Sequence, residues 1–319
     1  MKYTWKKTNI ASVDYLGRQL QKTVRNMNQN KLNTRYTYVS TMERFVKFLG
    51  QEYKMSNLSN IGDKHVKAFA ENEKAKGNNH KYIKNELSAI RFVHNCMEVT
   101  RHSLSDATTF NKLLELDHTG DGRIDRAWEE KELEDMKEMS YKYEKSDIAD
   151  VLEGIRTTGT RLDELCTLKY TDVKNALKTG YLNLTNTKGA IPRSIKLTDR
   201  AYEIFAKKYA EATPGKYVFT PNKYVDNHNI HKFKKIVQNF VSYHREKISI
   251  GGRAASGHNV SSDQKSALTM HGLRHAYARD EYLKRVSAGM YKDAARLEVA
   301  NLLGHGRDSI VFIYLAGVE

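Results

Sequence analysis

The segment His271-Gly-Leu-Arg274-His275-Ala-Tyr-Ala decides how the second half of the chain is interpreted. On a helix, positions 271, 274 and 275 share one face, because residues three and four apart are neighbours. The spacing therefore places an imidazole beside a guanidinium, a pairing suited to binding a phosphate. It does not favour zinc, since the face offers too few ligands and its arginine would repel a metal cation.

A second informative segment is Leu303-Gly304-His305-Gly306-Arg307. Gly304 is typical of a helix end, which predicts that His305 lies in a turn. A short predicted helix over 308–315 follows and presents Tyr314. Taken alone, Tyr314 is one of 19 tyrosines, and a tyrosine in an apolar helix is usually a core residue.

Upstream, Thr160-Arg161-Leu-Asp163-Glu164 resembles the start of a helix. With Thr160 and Asp163 as a capping-box-like pair, Arg161 would lie in the first turn, where unpaired backbone N–H groups favour an anion. Glu164, three residues on, can brace the Arg161 guanidinium. An arginine near a helix start is usually a surface residue, so this segment gains weight only beside the others.

Alternating residues over 181–184 and 193–197 predict a β-hairpin around Thr187-Lys188-Gly189-Ala190. Lys188 lies at the tip. The rest of the second block is predicted to be mainly helical, over about 199–212, 229–247, 271–287 and 292–303. The Gly-, Ser- and Ala-rich stretch 251–266 predicts a loop.

The first block is predicted to be a helical bundle. Apolar residues recur at helical spacing from Thr34 to Leu49 and again from Lys81 onward, while Asp63 can cap a shorter helix between them. The predicted fold is therefore mainly α with a small β-hairpin, in two domains. Residues 1–110 form a helical domain, 111–130 an acidic linker and 131–319 a mixed α/β domain.

Charge separates the same three regions. Residues 1–110 carry 19 Lys and Arg against 9 Asp and Glu, 111–150 carry 7 against 13, and 151–319 carry 27 against 16. The formal net charge is +15, which is typical of a protein with a polyanionic partner. Two basic blocks favour a clamp on nucleic acid, since each can neutralise its own stretch of phosphates.

Composition excludes several other classes. The mean hydropathy of −0.68 and the lack of a long apolar run argue against a membrane protein. No apolar stretch follows the first lysines, so we expect no secretory signal and a cytoplasmic location. The two cysteines, Cys96 and Cys166, cannot form a disulfide framework or a zinc site by themselves.

The linker contains a stretch that imitates a calcium-binding loop, from Asp117 to Trp128. Its acidic residues and Gly122 match the loop pattern, but position 12 is Trp128 where a bidentate carboxylate is required. Position 3 is Thr119 in place of Asp or Asn. An acidic linker is the better interpretation, and a calcium-regulated protein remains a weak alternative.

Arg161, Lys188, His271-x-x-Arg274, Leu-Gly-His305 and Tyr314 occur in this order, and that constellation resembles the tyrosine recombinase, or phage integrase, family. The resemblance covers 151–319 and is nearest to integrases of prophages and genomic islands. It implies a helical core-binding domain plus a catalytic domain that grip duplex DNA. It also implies cleavage and rejoining of DNA strands through a 3′-phosphotyrosyl intermediate, without metal or cofactor.

The resemblance also implies a role for each residue. Tyr314 would be the nucleophile and His271 its base, while Lys188 would protonate the departing 5′ oxygen. Arg161 and Arg274 would clamp the phosphate oxygens, a task for which forked guanidiniums are suited, and His305 would donate to a non-bridging oxygen. Glu164 and His275 would support them.

Several other residues compete for these roles or extend the site. Tyr277, Tyr282 and Tyr291 are rivals of Tyr314, but none follows a Leu-Gly-His. Lys196 and Arg193, on the second hairpin strand, are lesser rivals of Lys188. We expect one further set of basic residues, on the helix over 229–247, to contact DNA phosphates: Lys232, Lys234, Lys235 and Arg245.

The sequence thus predicts a site-specific recombinase, an integrase of a mobile element, that acts as a homotetramer on two DNA duplexes. An accessory DNA-bending or directionality factor is a possible partner, and no membrane is involved. Two alternatives stay open. One is a type IB topoisomerase-like enzyme acting on one duplex, and the other is a non-catalytic DNA-binding protein on the same scaffold.

Overall fold

The computed structural model describes residues 3–27, 32–116, 125–185, 191–225, 227–248, 268–305, 311–316 and 318. The chain divides into two compact units, Met1–Gly120 and Asp121–Glu319. Over the described residues the fold is mainly helical with one two-stranded antiparallel sheet, which confirms the predicted fold class. None of the described helices is long and apolar enough to cross a membrane.

The first unit is a helical bundle whose apolar stripes face inward. Met42, Phe45 and Leu49 of the stripe predicted from Thr34 are fully buried, as are Ile83 and Leu87 of the next. These stripes pack against each other and against an N-terminal helix. The helices are α1 (Ala11–Arg25), α2 (Leu32–Glu52), α3 (Asp63–Ala75), α4 (His80–Asn95) and α5 (Ala107–Leu113).

Two features of this unit differ from the sequence analysis. Helix α1 was not predicted, although Val13, Leu16, Leu20 and Val24 recur at helical spacing and are all buried. Asp63 does not cap α3 but is its first helical residue. Its carboxylate instead accepts hydrogen bonds from the backbone and hydroxyl of Ser105, at 3.0 and 2.5 Å, so a tertiary contact overrides the local capping preference.

The second unit combines helices with the predicted hairpin. Strands β1 (Tyr181–Leu184) and β2 (Arg193–Lys196) pair antiparallel, with Leu182 and Ile195 facing the core. The hairpin tip at 186–190, including Lys188, lies outside the described residues, as does the predicted loop 251–266. The helices are α6 (Glu130–Lys142), α7 (Ser146–Thr158), α8 (Leu162–Cys166), α9 (Tyr170–Thr179), α10 (Asp199–Glu211), α11 (Asn227–Ile248), α12 (Met270–Ser287), α13 (Lys292–Leu302) and α14 (Val311–Tyr314).

Helix α7 forms the centre of this unit, packed against α6, α10 and α12. It ends at Thr158, because Gly159 adopts the left-handed conformation with φ of 60°. A Cβ at this position would lie 2.2 Å from the Tyr277 ring, so the close approach also requires glycine. The chain therefore leaves α7 directly beneath α12.

Both ends of the predicted linker are buried. Leu114 and Leu116 join the core of the first unit, and Ala127 and Trp128 join that of the second. The residues between them, 117–124, lie outside the described part of the chain and contain most of the calcium-loop-like stretch. The domain limits at 110 and 131 stay a prediction.

We expect Gly17→Ala to destabilise the first unit although alanine favours helices. A Cβ at position 17 would lie 2.1 Å from the indole of Trp5, which is buried and donates to Asp14 over 3.0 Å. Displacing the indole should lower the free energy of unfolding by about 1–3 kcal/mol. Denaturant unfolding followed by far-UV circular dichroism measures this loss.

The control is the same substitution in a Trp5→Ala background. There the steric conflict is absent, so Gly17→Ala should stabilise the unit by up to about 1 kcal/mol through helix propensity. Equal effects of Gly17→Ala in both backgrounds would contradict the prediction.

Candidate active site

Tyr314 lies at the end of α14 with its ring buried and its hydroxyl between two histidines. The phenol oxygen is 3.0 Å from Nε2 of His305 and 3.2 Å from Nε2 of His271. A phenol has one proton to donate, so one imidazole nitrogen can accept it while the other donates to the oxygen. The structure thus brings together three residues that the sequence placed up to 43 positions apart.

A turn after α13 presents His305, as predicted. Gly304 has φ of 65°, and the backbone N–H groups of Gly304 and His305 donate to Asn301 and Ala300 over 2.9 and 2.8 Å. These bonds satisfy carbonyls at the helix end, and the left-handed residue reverses the chain. His305 is consequently aimed back toward α12.

The start of α12 is fixed by close packing around Gly272. A Cβ there would lie 2.3 Å from the carbonyl oxygen of Arg126 and 2.7 Å from the Trp128 ring. Trp128 also donates its indole N–H to the carbonyl of Thr269 over 2.9 Å. Glycine at 272 therefore lets the segment 126–128 lie against the first turn of α12, which positions His271.

Arg274 is fully buried beside the tyrosine. Its guanidinium donates to the carbonyls of Gly159 and Leu303, and Nη2 is 3.4 Å from Nε2 of His305. Its central carbon lies 5.9 Å from the centre of the Tyr314 ring. Burial lowers the pKa of Arg274 from its ordinary value, but arginine stays protonated in proteins, so the site holds a permanent cation.

The partly exposed Arg161 is paired with the buried Glu164 next to this cation. Nη1 of Arg161 is 2.7 Å from Oε1 of Glu164, and the Arg161 backbone N–H donates to Oε2 over 2.8 Å. Arg161 immediately precedes α8 and is not in its first turn, which corrects the expected capping by Thr160. The Thr160 hydroxyl is instead hydrogen-bonded to Thr158 at 3.0 Å.

The three histidines are held neutral by their surroundings. Exclusion of water by neighbouring protein atoms, followed by the charges of Arg274 and Arg161, lowers the pKa of both His271 and His305 to about 4. The same desolvation, with the charge of Arg126 adding to it, lowers the pKa of His275 to about 3. Near neutral pH each ring can therefore accept one hydrogen bond and donate another.

His275 packs its ring against the Tyr314 ring. The centroids are 4.4 Å apart and the planes are tilted by 35°, while the His271 ring meets His275 edge-on at 5.2 Å. His275 is 1% exposed, and Nδ1 has no hydrogen-bond partner among the described residues. The His275 ring thus packs against one face of the Tyr314 ring and holds it in place.

The three rival tyrosines are not among the residues that surround the Tyr314 hydroxyl. Tyr277 and Tyr282 are buried, with burial raising the pKa of Tyr277, and Tyr291 is 87% exposed just before α13. The Arg193 side chain is buried against Glu164. Among the described residues, no group of three or more His, Cys, Asp and Glu side chains is arranged to hold a metal ion.

The basic residues of α11 divide into two kinds. Lys232 and Lys235 are exposed. Lys234 is paired with Asp163 in the first turn of α8, and Arg245 is half-buried near Glu246 at 3.7 Å. Their contact with DNA stays a prediction, and the pairing of Lys234 favours a structural role for that residue.

The sequence analysis missed two contributors to this site. Arg126 is exposed and lies near enough to help lower the pKa of His271 and His275. Gly159 supplies a carbonyl to Arg274. A glycine after an apolar helical stretch is typical of a helix end, but no sequence pattern indicates which side chain its carbonyl accepts from.

Comparison with known proteins places this geometry in context. The family model described as the phage integrase family matches residues 128–318, and that of the phage integrase N-terminal SAM-like domain matches residues 18–97. No curated protein sequence matches the chain. Solved structures do match, three of them bound to DNA, and at sequence identities below 20% they show a shared fold.

One such structure is the Tn1549 transposon integrase in complex with transposon right end DNA, at 17% identity and a TM-score of 0.59, covering 94% of both chains. A second is a lambda integrase dimer bound to a COC′ core site, at 18% identity and a TM-score of 0.57, covering 94% of both chains. A third is a lambda integrase tetramer bound to a Holliday junction, at 17% identity and a TM-score of 0.56, covering 94% of this chain and 76% of that one.

We expect the buried, neutral state of His275 to make stability depend on pH. Its pKa is about 3 in the folded protein and about 6.5 when unfolded, so the unfolded state binds more protons between these values. The free energy of unfolding should therefore fall as pH falls through this window. His275→Gln should flatten that fall by up to about 1.4 kcal/mol per pH unit.

Denaturation midpoints measured at a series of pH values, for the wild type and His275→Gln, give the two slopes. The substitution also removes the ring contact with Tyr314, so only the slope is compared and the absolute stability is not. Parallel slopes in the two proteins would contradict the prediction.

Proposed function

The chain belongs to the phage integrase family of site-specific tyrosine recombinases, and we propose that Tyr314 is the nucleophile with which it cleaves DNA. The observation that carries this proposal is the position of the Tyr314 oxygen, within hydrogen-bond reach of His271 and His305. Arg274 lies against the same tyrosine. A buried phenol flanked by proton acceptors and cations is suited to attack on a phosphodiester.

The reaction begins as the phenol oxygen attacks phosphorus and the bond from phosphorus to the 5′ oxygen breaks. A 3′-phosphotyrosyl bond forms, and the 5′ oxygen leaves with a proton. His271 takes the phenol proton, since its Nε2 lies 3.2 Å from the phenol oxygen. His305, next to Arg274, donates to a non-bridging phosphate oxygen.

Arg161 and Arg274 stabilise the transition state. Negative charge grows on the non-bridging oxygens as the nucleophile attacks, and two guanidiniums already in place need little reorganisation to meet it. Glu164 fixes the Arg161 side chain for this purpose. Because the phosphotyrosyl linkage conserves the energy of the original bond, rejoining by the 5′ hydroxyl needs no nucleotide cofactor.

Lys188 is the proposed general acid for the departing 5′ oxygen. It lies in the sequence between β1 and β2, outside the described residues, and Arg193 of β2 is bonded to Glu164 beside Arg161. A hairpin anchored in this way is suited to deliver a side chain from its tip to the scissile phosphate. An ammonium group can give up a proton where arginine cannot.

We further propose that the protein binds double-stranded DNA through both basic units and assembles as a homotetramer on two duplexes. Support comes from the basic charge of each unit and from the homologues, which include a dimer on a core site and a tetramer on a Holliday junction. Lys232, Lys235 and Arg126 are exposed cations of the catalytic unit suited to phosphate contact. Such a protein acts where the DNA is, in the cytoplasm, and an accessory factor would set the direction of the reaction.

The function is tested by trapping the covalent intermediate. A library of random-sequence duplexes with one nick is incubated with the protein, so that the strand between cleavage site and nick diffuses away and prevents rejoining. Adducts that survive denaturation are isolated and sequenced, which gives the target site and the attached residue. Cleaved adducts on Tyr314 support the proposal, and wild-type protein that binds DNA without any adduct contradicts it.

We expect Tyr314→Phe to abolish this adduct and to leave the DNA dissociation constant within about twofold, because the hydroxyl reacts but the ring only packs. Tyr291→Phe is the matched control, since that tyrosine is exposed and outside the site. It should form adducts at the wild-type rate. Adducts that persist in Tyr314→Phe and vanish in Tyr291→Phe would reverse the assignment.

We expect Lys188→Ala to slow cleavage about 100-fold or more on ordinary DNA. A substrate with a bridging 5′ sulfur should restore the rate, since a thiolate leaves without protonation. Lys196→Ala, on the second hairpin strand, tests the nearest alternative acid. If the 5′ sulfur substrate restores cleavage by Lys196→Ala but not by Lys188→Ala, then Lys196 is the general acid.

A further inference from the structure

Arg193 is a buried arginine that the reaction as described does not use. It lies on β2 with 2% of its side chain exposed, and it forms a two-pronged ion pair with Glu164. Nη1 donates to Oε1 over 3.2 Å and Nη2 donates to Oε2 over 2.5 Å. Such planar, bidentate pairs are the strong and geometrically specific ones.

The Glu164 carboxylate is thereby shared between two arginines. Besides the two bonds from Arg193, it accepts one from the Arg161 guanidinium at 2.7 Å and one from the Arg161 backbone at 2.8 Å. A carboxylate offers about four acceptor positions, and these four bonds fill them. Only one N–H of the Arg161 guanidinium is therefore spent on Glu164.

Removing Arg193 would change this division. Two acceptor positions of a buried carboxylate would lose their donors. Arg161 already donates to Glu164, and its guanidinium could rotate to donate to the vacated positions as well. The negative charge of Glu164 would then be balanced by Arg161 alone. An arginine held in that way has fewer N–H groups and less net positive charge to offer a phosphate.

A second contact links Arg193 to the turn that carries His305. A Cβ built on Gly304 would lie 3.0 Å from Nη1 of Arg193 and 3.3 Å from Cδ, so the arginine packs directly against this glycine. Gly304 needs its left-handed conformation to present His305. One side chain on the hairpin strand thus contacts both the Arg161–Glu164 pair and the turn that carries His305.

We propose that Arg193 is a positioning residue for strand cleavage, which occupies Glu164 so that Arg161 stays available to the scissile phosphate. The inference rests on the proposed function, since it assigns Arg161 to that phosphate. Arg193 itself is not the general acid, because its guanidinium is buried, paired and unable to release a proton near neutral pH.

The pH dependence of cleavage distinguishes this role from a merely structural one. Burial alone would raise the pKa of Glu164, but the bonds from Arg193 and Arg161 outweigh it and lower the pKa below its usual value. Without Arg193, one of the contacts that lower the pKa of Glu164 is lost, and the effect of burial on that pKa weighs more. Glu164 would then take up a proton at higher pH and would no longer hold Arg161 in place. In a plot of cleavage rate against pH, the acid limb, where the rate falls as pH falls, should therefore move to higher pH.

Three titratable or charged groups face Glu164: Arg161 just before α8, Arg193 on β2 and His305 after α13. Lys234 of α11 is paired with Asp163. Loss of Arg193 also removes a charge that lowers the pKa of His305. A Glu164→Gln substitution removes the titrating carboxylate but also a charge that raises the pKa of His305, so it is made in the wild-type background as well to measure its effect through His305.

The experiment measures single-turnover cleavage of the nicked duplex recovered by trapping, across acidic to neutral pH. Arg193→Met should cleave about 100-fold more slowly, with DNA affinity within about twofold and an acid limb shifted upward. Arg193→Met/Glu164→Gln should lose the shifted limb. Lys178→Met, which removes an exposed charge from α9 of the same unit, should behave as wild type.

Cleavage by Arg193→Met at the wild-type rate would overturn the inference, as would a slowed variant whose acid limb stays in place and is unchanged by Glu164→Gln. If Arg193→Met loses its cooperative melting transition, Arg193→Lys replaces it, since the ammonium keeps a cation beside Glu164 but cannot bind both oxygens. We expect that variant to cleave about tenfold more slowly with a smaller upward shift of the same limb, and a wild-type rate would refute the role. Wild-type protein that forms no adduct would instead contradict the proposed function.

Discussion

The active site depends on the burial of Arg274. A guanidinium removed from water is costly unless its charge and its N–H groups are satisfied. Here the carbonyls of Gly159 and Leu303 accept hydrogen bonds from its two terminal nitrogens, while its Nε has no partner among the described residues. Both carbonyls belong to residues directly after a helix, α7 and α13, where carbonyl groups lack partners within the helix and the helix dipole is negative. Two helix ends therefore stabilise one buried cation.

This arrangement also places the other groups. The chain leaves α7 at Gly159 and reaches Arg161 two residues later, and it leaves α13 at Leu303 and reaches His305 two residues later. Since Arg274 is bonded to both exits, it sets the distance between Arg161 and His305. Tyr314 then packs between His275 and His305, with its hydroxyl near His271. The glycines at 159 and 304 matter because each must turn the backbone at a helix end.

Much of this could be predicted from local patterns. The spacing of His271, Arg274 and His275 predicts a shared helix face, and Gly304 predicts a turn at His305. What could not be predicted depends on contacts between distant segments. Arg193 pairs with Glu164 across 29 positions, and Ser105 binds Asp63 across 42, which removes the aspartate from its expected capping role. Capping preferences are local and weak, so a tertiary partner or a neighbouring hydroxyl, as at Thr160, overrides them.

The charges of the site explain how one pocket can hold both a proton acceptor and cations. After desolvation, the charges of Arg274 and Arg161 help to lower the pKa of both His271 and His305 to about 4, and Arg193 adds to the effect on His305. Imidazoles with such pKa values are weak bases. A phosphodiester bound between Arg161 and Arg274 brings a negative charge into the same desolvated space, which offsets the arginines and raises the proton affinity of both rings. In the proposed mechanism, the arginines that bind the phosphate would thereby make His271 a better acceptor of the Tyr314 proton only when a phosphate is there to be attacked.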